Sequence, residues 1–382
     1  MRIVCRHPLL VALAAGLGLL ASAGARADKG YYPNLAMDYN AVLQYDFSRA
    51  EGSGATSPRN TTDVYPDIQS SFYIRFSPND QLRLSTEFNP VDPPANGEKR
   101  TFGDLGLVVN ELNYYKLTQH TQLQVGKLQV PFGRAMDAAP GLYTNDFVAA
   151  YDLGGMLGAT YAYRWFGQKV GMIEGGLNLY TADTTELSRP FLRGGSRTQR
   201  ADGGPANTGK LDSYAVTVNW DAIPALPFLE MQAGYMRNRA GIAQPDTGPA
   251  DDEVIRIVSA RYIWAPDASA DLETTLRFRY FDIVPLVEYA DVQNENAIAG
   301  NDTRYLTTSV TIDYGRWVLG ATRTDKRRPS APGAGRHDYL NELSCGYRVT
   351  GQLSIGVSIG SQAVGGQDAN LVGIALSYNG AH

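Results

Sequence analysis

The chain has 382 residues, with 34 Lys and Arg against 39 Asp and Glu, 40 Gly, 23 Tyr and two cysteines. An acidic balance argues against a nucleic-acid partner. So few charges, so much Gly and Tyr and only modest overall hydrophobicity are unusual for a soluble protein of this length.

The first 27 residues read as an export leader. Arg2 and Arg6 form a basic start, residues 9–20 an apolar core, and Ala25-Arg26-Ala27 a small-residue cleavage site. The apolar run is shorter than the roughly 20 residues a helical span needs. The mature chain is expected to begin at Asp28 and to be exported. Cleavage removes Arg2, Arg6 and Arg26 but no acid, so three fewer than 34 bases face 39 acids, a net charge of about −8. Cys5 leaves with the leader. Cys345 alone remains, which excludes an intramolecular disulfide and a cysteine-based metal site.

Beyond the leader no apolar run is long enough to cross a membrane as a helix, and the pattern is period two. Runs fall at 39–47, 68–76, 82–88, 108–116, 121–130, 157–165, 170–180, 214–220, 229–235, 254–264, 271–280, 306–314, 317–323, 339–349, 353–359 and 370–378. At the C-terminal end Leu353, Ile355, Val357 and Ile359 alternate with Ser354, Gly356 and Ser358. One face is oily and the other small and polar, a strand signature. In 271–280 Leu272, Leu276 and Phe278 lie opposite Glu273, Arg277 and Arg279. Arginine facing lipid at the bilayer midplane costs about 2–4 kcal/mol, a large share of a typical stability of about 5–15 kcal/mol. The charged face must therefore meet water inside a closed barrel.

A soluble sandwich also alternates. Its second core would need large residues where this chain has Gly and Ser, and sixteen runs exceed one sandwich. The expected fold is all-β: a transmembrane antiparallel β-barrel of about 16 strands, one domain over 28–382, in the range that leaves an aqueous channel.

Connections alternate too. Gly315, Thr350-Gly351 and Phe166-Gly167 read as tight turns, whereas 51–63, 91–103, 181–210, 240–252, 286–301 and 325–335 read as long polar loops. The stretch 131–156 differs from both. It follows Pro131-Phe132-Gly133-Arg134, is rich in small and apolar residues, and is expected to fold inward as a constriction loop. Trp165, Trp220, Trp264, Trp317, Tyr280 and Tyr378 near run ends suit interfacial girdles.

Motifs for chemistry are weak. Residues 204–210 have the spacing of a phosphate-binding loop, but Leu211 stands where a Ser or Thr is needed and no strand-loop-helix context surrounds it. Neither His120 nor His337 stands in a nucleophile-base arrangement. No enzyme activity and no cofactor or metal is expected.

The charged candidates belong to a pore. Asp137, Asp146 and Asp152 lie on the infolded loop. Arg75, Arg83, Arg277 and Arg279 face the bore by parity, and Lys127, Arg134 and Arg164 lie near the roots of the loop. Acids facing bases would set a transverse field and an ion preference. The alternative is a set of lumen salt bridges that only rigidify the wall. Lys127 is ambiguous: parity with Leu123 and Val125 points it at lipid, and a bulge near Gly126 would turn it inward.

Val125-Gly126-Lys127-Leu128-Gln129-Val130-Pro131-Phe132-Gly133 resembles the strand-to-constriction junction of the phosphate-selective branch of bacterial outer-membrane porins. The resemblance implies a 16-stranded, often trimeric, water-filled barrel in a Gram-negative outer membrane, in contact with lipid and with small hydrophilic solutes. The chain departs from it by ending Tyr378-Asn379-Gly380-Ala381-His382, without a terminal aromatic, and by lacking a dense cluster of bases. Passive diffusion of small hydrophilic solutes and ions is the expected function. A substrate-specific channel for an anion or metal chelate, and an adhesive barrel with a plugged bore, are the alternatives.

Overall fold

The computed structural model describes residues 31–51, 60–193, 195–245, 248–265, 281–329 and 337–381. Among these residues seventeen strands form one sheet. They are β1 (Asn34–Glu51), β2 (Asn60–Arg75), β3 (Asp80–Pro90), β4 (Lys99–Thr101), β5 (Leu105–Leu117), β6 (Thr121–Val130), β7 (Leu153–Gly167), β8 (Gly171–Ala182) and β9 (Ser213–Asp221) in the first half. β10 (Leu229–Asn238), β11 (Glu253–Tyr262), β12 (Phe281–Gln293), β13 (Thr303–Tyr314), β14 (Trp317–Arg327), β15 (His337–Arg348), β16 (Leu353–Val364) and β17 (Gln367–Ala381) complete it. Sixteen are staves, each antiparallel to its neighbours, and β1 pairs with β17 to close the ring. The exception is β4, which lies in parallel beside β2, with Asp63 opposite Arg100.

Alternation decides which way each side chain points. Ile355, Val357 and Ile359 on β16 and Val372, Ile374 and Leu376 on β17 are exposed outward, while Ser358, Leu371 and Ala375 are buried inside. Closure gives every stave a hydrogen-bonded neighbour on both sides, which a membrane requires of a strand protein. Connections 76–79, 118–120, 168–170 and 315–316 gather on one rim, and 91–104, 183–212, 239–252 and 294–302 on the other. All four tryptophans, Trp165, Trp220, Trp264 and Trp317, are exposed near the short-turn rim. That is the position of an interfacial girdle.

One stave, β12, falls largely in a stretch that reads as loop in the sequence. Residues 271–280, with Arg277 and Arg279, lie outside the described residues, and the ring closes through β12, which pairs directly with β11 and β13. β12 occupies half of the polar connection expected at 286–301. Pro285, Glu288 and Asp291 disguise it, and at Leu286-Val287 both faces are apolar, so alternation fails as a signal. β2 likewise starts at Asn60, inside the loop expected at 51–63.

Between β6 and β7, residues 131–152 turn into the bore and carry two short helices, α1 (Ala135–Ala138) and α2 (Thr144–Val148). Gly133 makes the turn with φ +86°, a conformation that disfavours a side chain. Phe132, Ala135, Val148 and Tyr151 then pack with Met236, Ile255, Ile257, Ala290 and Val292 from the inner wall of β10–β12. Each large apolar side chain so buried contributes about 1.5–3 kcal/mol. The wall makes room with glycine: a Cβ at Gly234 would lie 2.6 Å from the Phe132 ring. A smaller apolar cluster, Tyr143, Phe147, Leu340 and Leu371, holds the far end of the segment.

Candidate functional site

Because 131–152 packs on β10–β15, open space is left on the opposite side of the bore. A cavity of about 520 Å³ lies between this segment and the inner faces of β1–β3. Its charged lining is Asp46, Asp63, Asp67, Glu87, Asp146 and Arg100, with Asp92 at the mouth. Arg100 is the one base among them, and it is committed. It pairs with Asp63 through Nε at 3.0 Å and with Asp104 at 3.1 Å, and donates to the Asp92 carbonyl at 2.9 Å.

Asp92 pairs with Arg193 at 2.8 Å, and the other four acids have neutral company. Asp46 accepts from Gln44 at 3.0 Å, from the Tyr65 hydroxyl at 2.8 Å and from the Tyr143 hydroxyl at 3.1 Å. Glu87 accepts from Asn89 at 2.7 Å and Asn110 at 2.8 Å. Among the described residues, Asp46, Asp67, Glu87 and Asp146 form no ion pair. Asp146 is exposed to the bore, yet it sits deep between walls. Crowding by protein, then the charges of Asp46 and Glu342, push its carboxyl up to about 6.

The candidate residues from the sequence are distributed differently. Of the three loop aspartates only Asp146 lines this passage; Asp137 is exposed on α1, and Asp152 accepts from Gln129 at 2.8 Å. Most of the bases are bound to wall acids. Arg83 pairs with Glu111 at 2.9 Å, Arg164 with Glu174, and Arg134 with both Asp221 and Glu230 at 2.9 Å. Arg75 is exposed at the short-turn end of β2, beside the Tyr73 ring. The described residues therefore form wall salt bridges and an acidic passage, not a field between facing acids and bases.

Lys127 is a correction. Pairing of β5 with β6 runs without a shift through Gly126, so no bulge turns Lys127 inward, and its partner is Leu112, which faces outward. The irregularity comes later, between Leu128 and Val130 against β7. Lys127 nevertheless avoids lipid. Residues of the 183–212 connection fold over it, Asp183 meeting its Nζ at 2.8 Å and the Leu187 carbonyl accepting at 2.8 Å. It is a buried wall residue.

Asp46, Asp63, Asp67 and Glu87 are absent from the sequence candidates. A parity signal existed: Gln44, Asp46 and Ser48 alternate with Tyr45 and Phe47, and Asp63, Tyr65, Asp67 and Gln69 repeat the spacing on β2. Reading 51–63 as loop and starting the strand at Ile68 concealed Asp63, Tyr65 and Asp67.

No family model and no curated protein sequence matches the chain. Solved structures do match. OprB of Pseudomonas putida aligns with TM-score 0.57 and 13% identity over 92% of this chain and 95% of that one. This is the porin fold. The outer-membrane channel DcaP of Acinetobacter baumannii aligns at 0.54 and 12% over 94% and 100%. An anion-selective porin from Comamonas acidovorans aligns at 0.54 and 8% over 91% and 100%. At such identities the likeness concerns the porin fold alone, and it does not single out a phosphate-selective branch. Side chains must supply the rest.

Proposed function

We propose that this barrel is a bacterial outer-membrane porin through which small hydrophilic solutes and ions diffuse passively, with a preference for cations. One observation carries the preference. Among the described residues, the open side of the bore is lined by Asp46, Asp67, Glu87 and Asp146 without a free base, and the one arginine there is neutralised by Asp63 and Asp104. Walls of low dielectric focus such a field, and charged linings set ion preference. A channel for phosphate or another anion would need the opposite lining. The porin fold and the outward apolar surface with its tryptophan rim support the membrane placement.

Recording in planar bilayers under a KCl gradient tests both parts. Stepwise conductance with a reversal potential of cationic sign is expected. An assembled barrel that conducts nothing would sink the channel reading, and a reversal potential of anionic sign would sink the preference. The plugged barrel is the second reading. It draws on the apolar packing of 131–152 against the β10–β12 wall, and it predicts no current in the same recording.

A further inference from the structure

Glu288 on β12 and Glu342 on β15 face inward and are 1% and 2% exposed. Neither forms an ion pair among the described residues. Each is instead surrounded by donors from the infolded segment. Glu288 accepts from the backbone N–H groups of Arg134 and Ala135, the latter at 3.1 Å, and from the Tyr151 hydroxyl at 2.8 Å. Glu342 accepts from the N–H groups of Leu142 and Tyr143, the latter at 3.2 Å, and from the Thr144 hydroxyl at 2.9 Å. Beside it, the Thr322 hydroxyl donates to the Pro140 carbonyl at 2.7 Å, where Gly320 leaves room for the Pro140 ring.

A buried carboxylate without a cation is costly. Apolar burial already attaches the segment to the wall, so adhesion alone does not require these acids. Burial is non-directional, however, and tolerates sliding. Hydrogen bonds to an acceptor-only group fix position, because three donors converge on one side chain. The two glutamates grip the segment at separate points, Glu288 at the start of α1 and at Tyr151 beyond α2, Glu342 at the start of α2.

We propose that Glu288 and Glu342 are positioning residues that set the calibre of the passage, Glu288 pinning the two roots of 131–152 and Glu342 its tip to the far wall so that the β1–β3 side stays open. The inference rests on the channel reading above. Glu288→Gln and Glu342→Gln keep side-chain size but remove the charge and leave one acceptor oxygen in place of two, so each pin is weakened.

Liposome swelling with uncharged sugars of graded size reports calibre without reporting charge, and amide exchange over 134–144 reports the pins directly. Expected are faster exchange at the affected end and a change of roughly twofold or more in the flux of sugars near the size limit. Should a Gln variant fail to assemble, Tyr151→Phe and Thr144→Val each remove one donor, to Glu288 and to Glu342 respectively, and should shift both readouts in the same direction by less. Wild-type exchange, or wild-type sugar limits in assembled variants, overturns the proposal. A wild-type barrel that passes neither ions nor sugars defeats the channel reading, and unchanged protection over 134–144 in both variants would then defeat the pinning separately.

Discussion

The Tyr143 hydroxyl, on the infolded segment, donates to Oδ1 of Asp46 on β1 at 3.1 Å. This contact bounds the open side of the bore, where both residues line the cavity. It joins the tip of the segment to the acidic wall, and Gly373 on the neighbouring strand leaves the space that the hydroxyl occupies.

Asp46→Asn is expected to lower the cation-to-anion permeability ratio by roughly two- to threefold, because it removes one of the few unpaired charges in the passage. Tyr143→Phe keeps the charge and removes one of three donors, so its effect on the ratio should be smaller. Reversal potentials in a KCl gradient measure both. Equal ratios in Asp46→Asn and wild type would remove Asp46 from the selectivity filter.

Asp146 makes the preference pH-dependent. Its carboxyl is raised to about 6 by burial first and by Asp46 and Glu342 next, so it takes up a proton as the pH falls through 6. Cation preference should drop between pH 7 and pH 5, and Asp146→Asn should flatten that part of the curve. Stability moves the other way. The folded state holds this proton more tightly than the unfolded chain, so the group's contribution is fully present below about pH 4 and is lost as the pH rises through about 6. A pH step that persists in Asp146→Asn would assign it to another group.

Lys127 and Asp183 are 3% and 2% exposed at their side chains. Burial by itself would raise the Asp183 carboxyl, but Lys127 and the Thr185 donors bring it below its ordinary value. Lys127→Met leaves that carboxylate without its cation and should cost about 3–5 kcal/mol. Adding Asp183→Asn should return much of the loss. Denaturant unfolding of the refolded barrel in detergent measures this, and a single variant as stable as wild type would contradict the pairing.

Much of the wall was legible in the sequence because a barrel strand writes its two environments directly into alternating residues. Leu353 to Ile359 shows this, and Gly315 marks its turn as plainly. The signal failed at β12. There Leu286, Ala290 and Val292 point inward to an apolar partner, the infolded segment, so the inner face no longer reads as polar. Lys127 failed for a related reason: parity gave its direction, but only the 183–212 connection, distant in sequence, explains how a charge survives there.

The sequence by itself determined a closed antiparallel barrel with one inward segment after Val130, since strand period, turn residues and the Pro131-Phe132-Gly133 break are local properties. Tertiary structure alone decided where that segment lies and which charges it leaves free. Arg83, Arg134 and Arg164 look available until Glu111, Asp221, Glu230 and Glu174 are brought to them by neighbouring staves. Asp46, Asp67, Glu87 and Asp146 converge only because β1, β2, β3 and the segment tip meet across the bore. Charge pairing falls off steeply with distance, and those distances are set by register and closure, which no single stretch of chain contains.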